Sequence, residues 1–150
     1  MKIRQRIVLK VITLLLFIIT INISGCCLFE TDNPDLRIVG QNFPSVVGIG
    51  QTFYPTFTVG NYSDGDCDAA KTSQSIVNLK MVNRVTGYLQ VNNNYTLNEL
   101  DNNATQNFNS INVTIESAGT FDLTFTVDPN NTSGEKNQNN NKITGVIIVQ

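Results

Sequence analysis

Gly119-Thr120-Phe121-Asp122-Leu123-Thr124-Phe125-Thr126-Val127 alternates apolar and polar residues from Phe121 to its end. In an extended chain Phe121, Leu123, Phe125 and Val127 point to one side, while Asp122, Thr124 and Thr126 face water. That period of two is the mark of a strand with one buried face. Gly119 supplies the turn leading into it.

Working outward, the same period recurs and no stretch keeps a 3.6-residue apolar period for three turns. Downstream, residues 143–149 are apolar at nearly every position, which suits a strand covered on both faces or one protecting an edge. Upstream, Ile111, Val113 and Ile115 alternate with Asn112 and Thr114, and Val77, Leu79 and Met81 with Asn78 and Lys80. A short strand is read at residues 88–91, between Gly87 and the Asn92 to Asn94 run. Phe53, Pro55, Phe57 and Val59 share one face of another, where Pro55, lacking an N–H, marks an edge or bulge. Leu36 and Ile38 open the first strand, and residues 40–50 read as turn material. Short strands at this spacing predict an all-β, immunoglobulin-like, seven-stranded antiparallel sandwich after an N-terminal signal or anchor helix.

The N-terminus reads differently. Basic residues 1–10 precede a nearly unbroken apolar run, residues 11–23, and then Ser24, Gly25 and Cys26: the layout of a secretory signal. The run falls short of the ~20 residues that cross a bilayer, although counting from Ile7 brings it close, so a single N-terminal transmembrane anchor is the alternative. Ile23-Ser24-Gly25-Cys26 resembles a lipobox, whose cysteine receives a diacylglyceryl thioether and becomes the mature N-terminus. That resemblance implies a signal over residues 1–25, lipid attachment through Cys26 and a tether over residues 26–33, leaving residues 34–150 as the domain. The seven residues 28–34 reach at most ~25 Å at ~3.5 Å each, holding the domain close to the membrane.

Composition narrows the function. Of the chain's 150 residues none is histidine, so the usual Ser or Cys triads cannot be assembled and the chain is read as a non-enzyme. Lys2, Arg4, Arg6 and Lys10 all lie in the signal, so its removal takes the formal charge from −2 to −6. An acidic surface argues against nucleic acid. Cys26, Cys27 and Cys67 are too few for a disulfide scaffold.

The segment from Val127 to Asn141, VDPNNTSGEKNQNNN, resembles the end of a CARDB domain, the cell adhesion related domain of bacteria and archaea. Asp128, Pro129, Asn131, Glu135, Asn137, Asn140 and Asn141 fall in the register of that family's turn. Pro34-Asp35-Leu36 is similar to its opening, Gly50-Gln51-Thr52 to the approach to its second strand, and Gly60-Asn61 to the turn that follows. Gln138 and Asn139 depart from commonly acidic positions, and Cys67 stands where no cysteine is expected. The resemblance covers about residues 34–150 and implies a surface domain used for adhesion or structural display.

Asp64-Gly65-Asp66-Cys67-Asp68 carries alternating carboxylates of the kind that wrap calcium. It is no EF-hand, because Ala69 and Ser75 replace the required glycine and glutamate. In an immunoglobulin-like topology this loop emerges beside the loop of Asp128 and Glu135, so Asp64, Asp66, Asp68, Asp128 and Glu135 form a candidate calcium set; the bland reading is solvated turn residues. Asn61, Asn94, Asn103, Asn112, Asn130 and Asn131 begin glycosylation sequons, which a chain so rich in Asn carries by chance.

These features lead to a lipid-anchored domain on the extracellular face, presenting its surface to an unknown protein or glycan. The runner-up is an accessory or small-ligand-binding lipoprotein of a membrane complex. Because the tether enters beside the Asp64 and Asn139 loops, the opposite loops are expected to be displayed.

Overall fold

The computed structural model describes residues 32–63, 68–109, 111–135 and 137–150. The segment read as signal, lipobox and most of the tether lies outside the described residues, as do Asp64, Asp66 and Cys67.

The described chain is all β. Its strands are β1 (Asp35–Asn42), β2 (Val46–Val47), β3 (Thr52–Phe53), β4 (Thr56–Tyr62), β5 (Ser75–Asn83), β6 (Leu89–Leu97), β7 (Thr105–Phe108), β8 (Val113–Thr114), β9 (Gly119–Val127) and β10 (Lys142–Val149). They form a five-stranded sheet, β2-β10-β9-β5-β6, a three-stranded sheet, β1-β4-β7, and a small β3-β8 pair. Pairing is antiparallel throughout except between β2 and β10.

The alternating residues build the core. Phe121, Leu123, Phe125 and Val127 of β9 and Val77, Leu79 and Met81 of β5 are all buried, and so are Phe57 and Val59 across the sandwich. Phe57 joins the layers: its ring stacks on Phe108 at 4.5 Å between centroids and packs at 4.2 Å against Phe125. Burying each such phenylalanine is worth about 2–3 kcal/mol. Phe43 lies over Gly145 of β10, where a Cβ would come within 2.1 Å of its ring.

The structure departs from the sequence reading in several places. The described residues form ten strands, not seven. Val46–Val47 forms β2 within the stretch read as turn. The Asn92 to Asn94 run lies inside β6, because β5 offers a full ladder of partners from Ser75 to Met81. Strand β7 comes from the unpatterned Thr-Gln-Asn-Phe. Gly60 and Asn61 continue β4 instead of ending it. Pro55 falls in the break between β3 and β4, where no ladder bond is lost. Strand β10 is not covered on both faces: Ile147 and Val149 are buried, while Val146 and Ile148 stand exposed.

One end of the sandwich gathers the start of β1, the connection from β4 to β5, the β6–β7 loop and the β9–β10 turn. The other end carries the β5–β6 turn and the segments flanking β2, β3 and β8.

Candidate functional site

The β9–β10 turn is built on short polar side chains. Asp128, Asn131 and Gly134 take left-handed backbone conformations, with φ of 41°, 51° and 69°. Asp and Asn tolerate that region because their side chains bond the nearby backbone. The Asp128 carboxylate does so twice, accepting the Thr132 N–H at 2.9 Å and the Ser133 N–H at 2.7 Å, and it also accepts the Ser75 hydroxyl at 2.5 Å. Burial pushes the Asp128 carboxyl up, but these hydrogen bonds outweigh burial and hold it below its usual value. Pro129 sits exposed on the turn, and Asn137 Oδ1 accepts the Asn139 N–H at 3.2 Å.

Glu135 reaches inward from the same turn. Its Oε2 accepts the Leu36 N–H at 2.8 Å, and its Oε1 accepts from the Asn141 amide. Burial pushes the Glu135 carboxyl up to about 7, and the nearby Asp128 and Asp35 carboxylates add to the shift. Asn140 donates to both Asp35 oxygens, at 3.0 and 3.2 Å, and Arg37 pairs with Asp35 at 2.6 Å while lying 5.1 Å from the centre of the Tyr62 ring.

Asn61 completes the clasp. It is wholly buried: Oδ1 accepts the Asp35 N–H at 3.1 Å, and Nδ2 donates to the Ala70 and Leu100 carbonyls at 2.9 and 3.0 Å. Its sequon is thereby closed to modification in the folded chain, since the amide nitrogen is fully committed.

Asp68 lies on the neighbouring loop, where it accepts from Asn102 at 2.8 Å while its carbonyl accepts the Asp32 N–H at 3.0 Å. Of the candidate calcium set the structure thus describes Asp68, Asp128 and Glu135, each engaged by donors of the fold. Among the described residues no group of three acidic or cysteine side chains is arranged to hold a metal ion. Sequence reading missed Ser75 and Arg37 as partners in this clasp, and saw Asn61 only as turn and sequon. The Pro-Asp-Leu opening was the one signal that the start of β1 matters.

The opposite end exposes several large apolar side chains among polar ones such as Arg84, Thr86 and Glu116. Val85 and Tyr88 of the β5–β6 turn are 87% and 67% exposed, and Tyr54 and Ile49 are 61% and 53% exposed. A shallow groove of about 300 Å³ beside β1, lined by Ile38, Val39, Gly40, Gln41 and Ile143, contains neither an aromatic nor a charged side chain.

No protein-family model matches the sequence, and no curated protein matches it. Solved structures do. The solution structure of a CARDB domain from Pyrococcus furiosus aligns at a TM-score of 0.61 and 26% identity, covering 79% of this chain and 97% of that one. The fold is that of a CARDB domain. A crystal structure of the same Pyrococcus furiosus domain, in complex with di-metal ions, aligns at 0.57 and 24% identity over 85% of this chain and 97% of that one. A domain of a protein from Methanosarcina acetivorans, described as a cell-surface protein, aligns at 0.50 and 22% identity over 78% and 92%. In this CARDB-like domain both oxygens of the Asp128 and Glu135 carboxylates accept hydrogen bonds from the fold.

Proposed function

We propose that this chain is a lipid-anchored, extracellular, non-catalytic domain that presents the far end of its sandwich to a protein or glycan at the cell surface. The observation that carries the reading is the polarity of the two ends. The end where β1 begins is a network of hydrogen bonds around Asp35, Asn61, Asp128 and Glu135, while the opposite end exposes Val85, Tyr88, Tyr54 and Ile49. A chain attached through Cys26 enters at the first end, so the apolar tip stands away from the membrane. Exposed apolar groups rimmed by polar residues suit protein or glycan contact. The CARDB fold and the cell-surface description of one neighbour support the same placement.

The small-ligand reading gains little, because the groove beside Ile143 has Gln41 as its one polar side chain and no aromatic wall. Calcium binding by the Asp64–Asp68 loop is a second reading, favoured by the metal ions in the Pyrococcus furiosus crystal structure. Titrating the protein with calcium and following its melting temperature tests that reading; no shift, or an equal shift in Asp68→Asn, counts against it.

Cell fractionation tests the main proposal. The wild-type protein is expected in the membrane fraction and accessible to protease from outside, and Cys26→Ser is expected in the medium. Retention of the serine variant in the membrane would contradict lipid anchoring.

A further inference from the structure

From strand β6 we infer that this chain pairs with a second copy of itself, edge to edge and antiparallel, about Asn93.

Among the described residues strand β6 ends the five-stranded sheet, with β5 on one side only. Its nine residues, LQVNNNYTL, hold no charge, proline or glycine, the usual devices that block edge pairing. The other edges are poorer. Strand β1 carries the Asp35–Arg37 ion pair and a register shift between Ile38 and Gly40, β7 has four residues, and β2 has two.

The backbone phase of β6 can be read from Gln106. Its amide donates to the Thr96 carbonyl at 2.9 Å, and its oxygen accepts the Asn98 N–H at 2.9 Å, so Thr96 and Asn98 turn their peptide groups away from β5. Alternation along a strand then puts the N–H and C=O of Asn92 and Asn94 on the same open edge. The bulge that interrupts the ladder falls before them, at Met81/Val82.

A two-fold axis at Asn93 sets Asn92 opposite Asn94 of the second copy, and the reverse, giving four backbone hydrogen bonds. The sequence is self-complementary about that point: Val91 meets Tyr95, and the pairing stops there, at the Gln90 bulge on one side and the Gln106 amide on the Thr96 carbonyl on the other. Val91 and Tyr95 are only partly covered by their own core and gain cover from the pairing. On the outer face, Asn78 donates to the side-chain oxygens of Asn92 and Asn94 at 2.8 Å each, leaving both amide nitrogens to bond across the new edge. The nearest like charges, Lys80 on β5 of each copy, stand three strand spacings apart, about 14 Å, beyond the screening length of about 8 Å.

Antiparallel pairing turns the N-terminal ends of the two copies to opposite sides. Combined with the lipid-anchored reading, on which this further step rests, the pair joins two facing membranes instead of neighbours in one.

The test uses the full chain in detergent, with Cys27 and Cys67 replaced by serine. Oxidation of Asn93→Cys is expected to give a thiol-reversible dimer that is absent from the parent and from Lys80→Cys, on the open sheet face. Adding Asn94→Pro, which removes an N–H pointing away from β5, is expected to abolish the dimer while the β circular-dichroism spectrum is kept. Cross-linking of Asn93→Cys no faster than Lys80→Cys overturns the pairing, whether or not the proline variant folds. Vesicles carrying the wild-type chain are expected to cluster and those with Asn94→Pro to stay dispersed. Cross-linking without clustering leaves the pairing standing and overturns its placement between membranes.

Discussion

The backbone N–H of Leu36 donates to Oε2 of Glu135 at 2.8 Å, joining residues 99 apart in the chain. This bond ties the first strand to the last turn, so the order of the polar end depends on the protonation and packing of one buried carboxyl.

Glu135→Ala leaves the Leu36 N–H and the Asn141 amide without their acceptor and is expected to cost about 1–3 kcal/mol at acidic pH, measured by urea unfolding. Glu135→Gln keeps an acceptor for Leu36, and the Asn141 amide, whose oxygen has no hydrogen-bond partner, can turn to meet the new NH₂. Its cost is expected to be below about 1 kcal/mol.

The same residue sets a pH dependence. Its carboxyl rises from 4.5 to about 7 in the folded protein, so the folded state holds the proton more tightly than the unfolded state. The contribution is therefore fully present below the unfolded value and is lost as pH rises through the folded one. From about pH 5 to about pH 8 the wild type is expected to lose roughly 2–3 kcal/mol relative to Glu135→Gln. Parallel unfolding curves at the two pH values check this.

Asp128 acts in the opposite sense. Its carboxyl is held below its usual 3.8, so its contribution is present above that value and lost as pH falls through the lowered one. Asp128→Ala strands the Ser75 hydroxyl and the Thr132 and Ser133 N–H groups, and is expected to cost about 2–4 kcal/mol near neutral pH. Acid unfolding of the alanine variant is expected to lose this part of its pH dependence.

Asn61→Ala is expected to cost about 3 kcal/mol, because three backbone partners, two of them buried, lose their bonds at once. Asp at the same position would turn a carboxylate toward two carbonyl oxygens and is expected to be at least as damaging. Peptide mapping after expression in a glycosylating host should find Asn61 unmodified.

Val85→Ser and Tyr88→Ser touch only the exposed tip. Each is expected to change stability by less than about 0.5 kcal/mol while reducing retention of the protein on envelope preparations from its host. Unchanged retention would move the binding face elsewhere.

Much of the fold is legible wherever a strand has one wet and one buried face. Phe121 to Val127 and Val77 to Met81 declare their strands because their neighbours are polar. Strand β6 hides for the opposite reason: at a sheet edge Asn93 stays exposed on the inward side, so Asn92 to Asn94 shows no alternation and resembles a turn. Strand β7 is four residues long and held largely by pairing with β4. The Asp128 turn is readable as Asn- and Asp-rich, because left-handed backbone demands such residues. Its partners are not readable, since Ser75 and Leu36 lie 53 and 99 residues away and no local pattern marks a hydrogen bond made through space.

Intact mass of the protein purified from detergent-solubilised membranes, compared with Cys26→Ser, tests the anchored-display reading most directly. The account predicts loss of residues 1–25 together with a diacylglyceryl adduct that vanishes in the serine variant. A full-length, unmodified mass would contradict it.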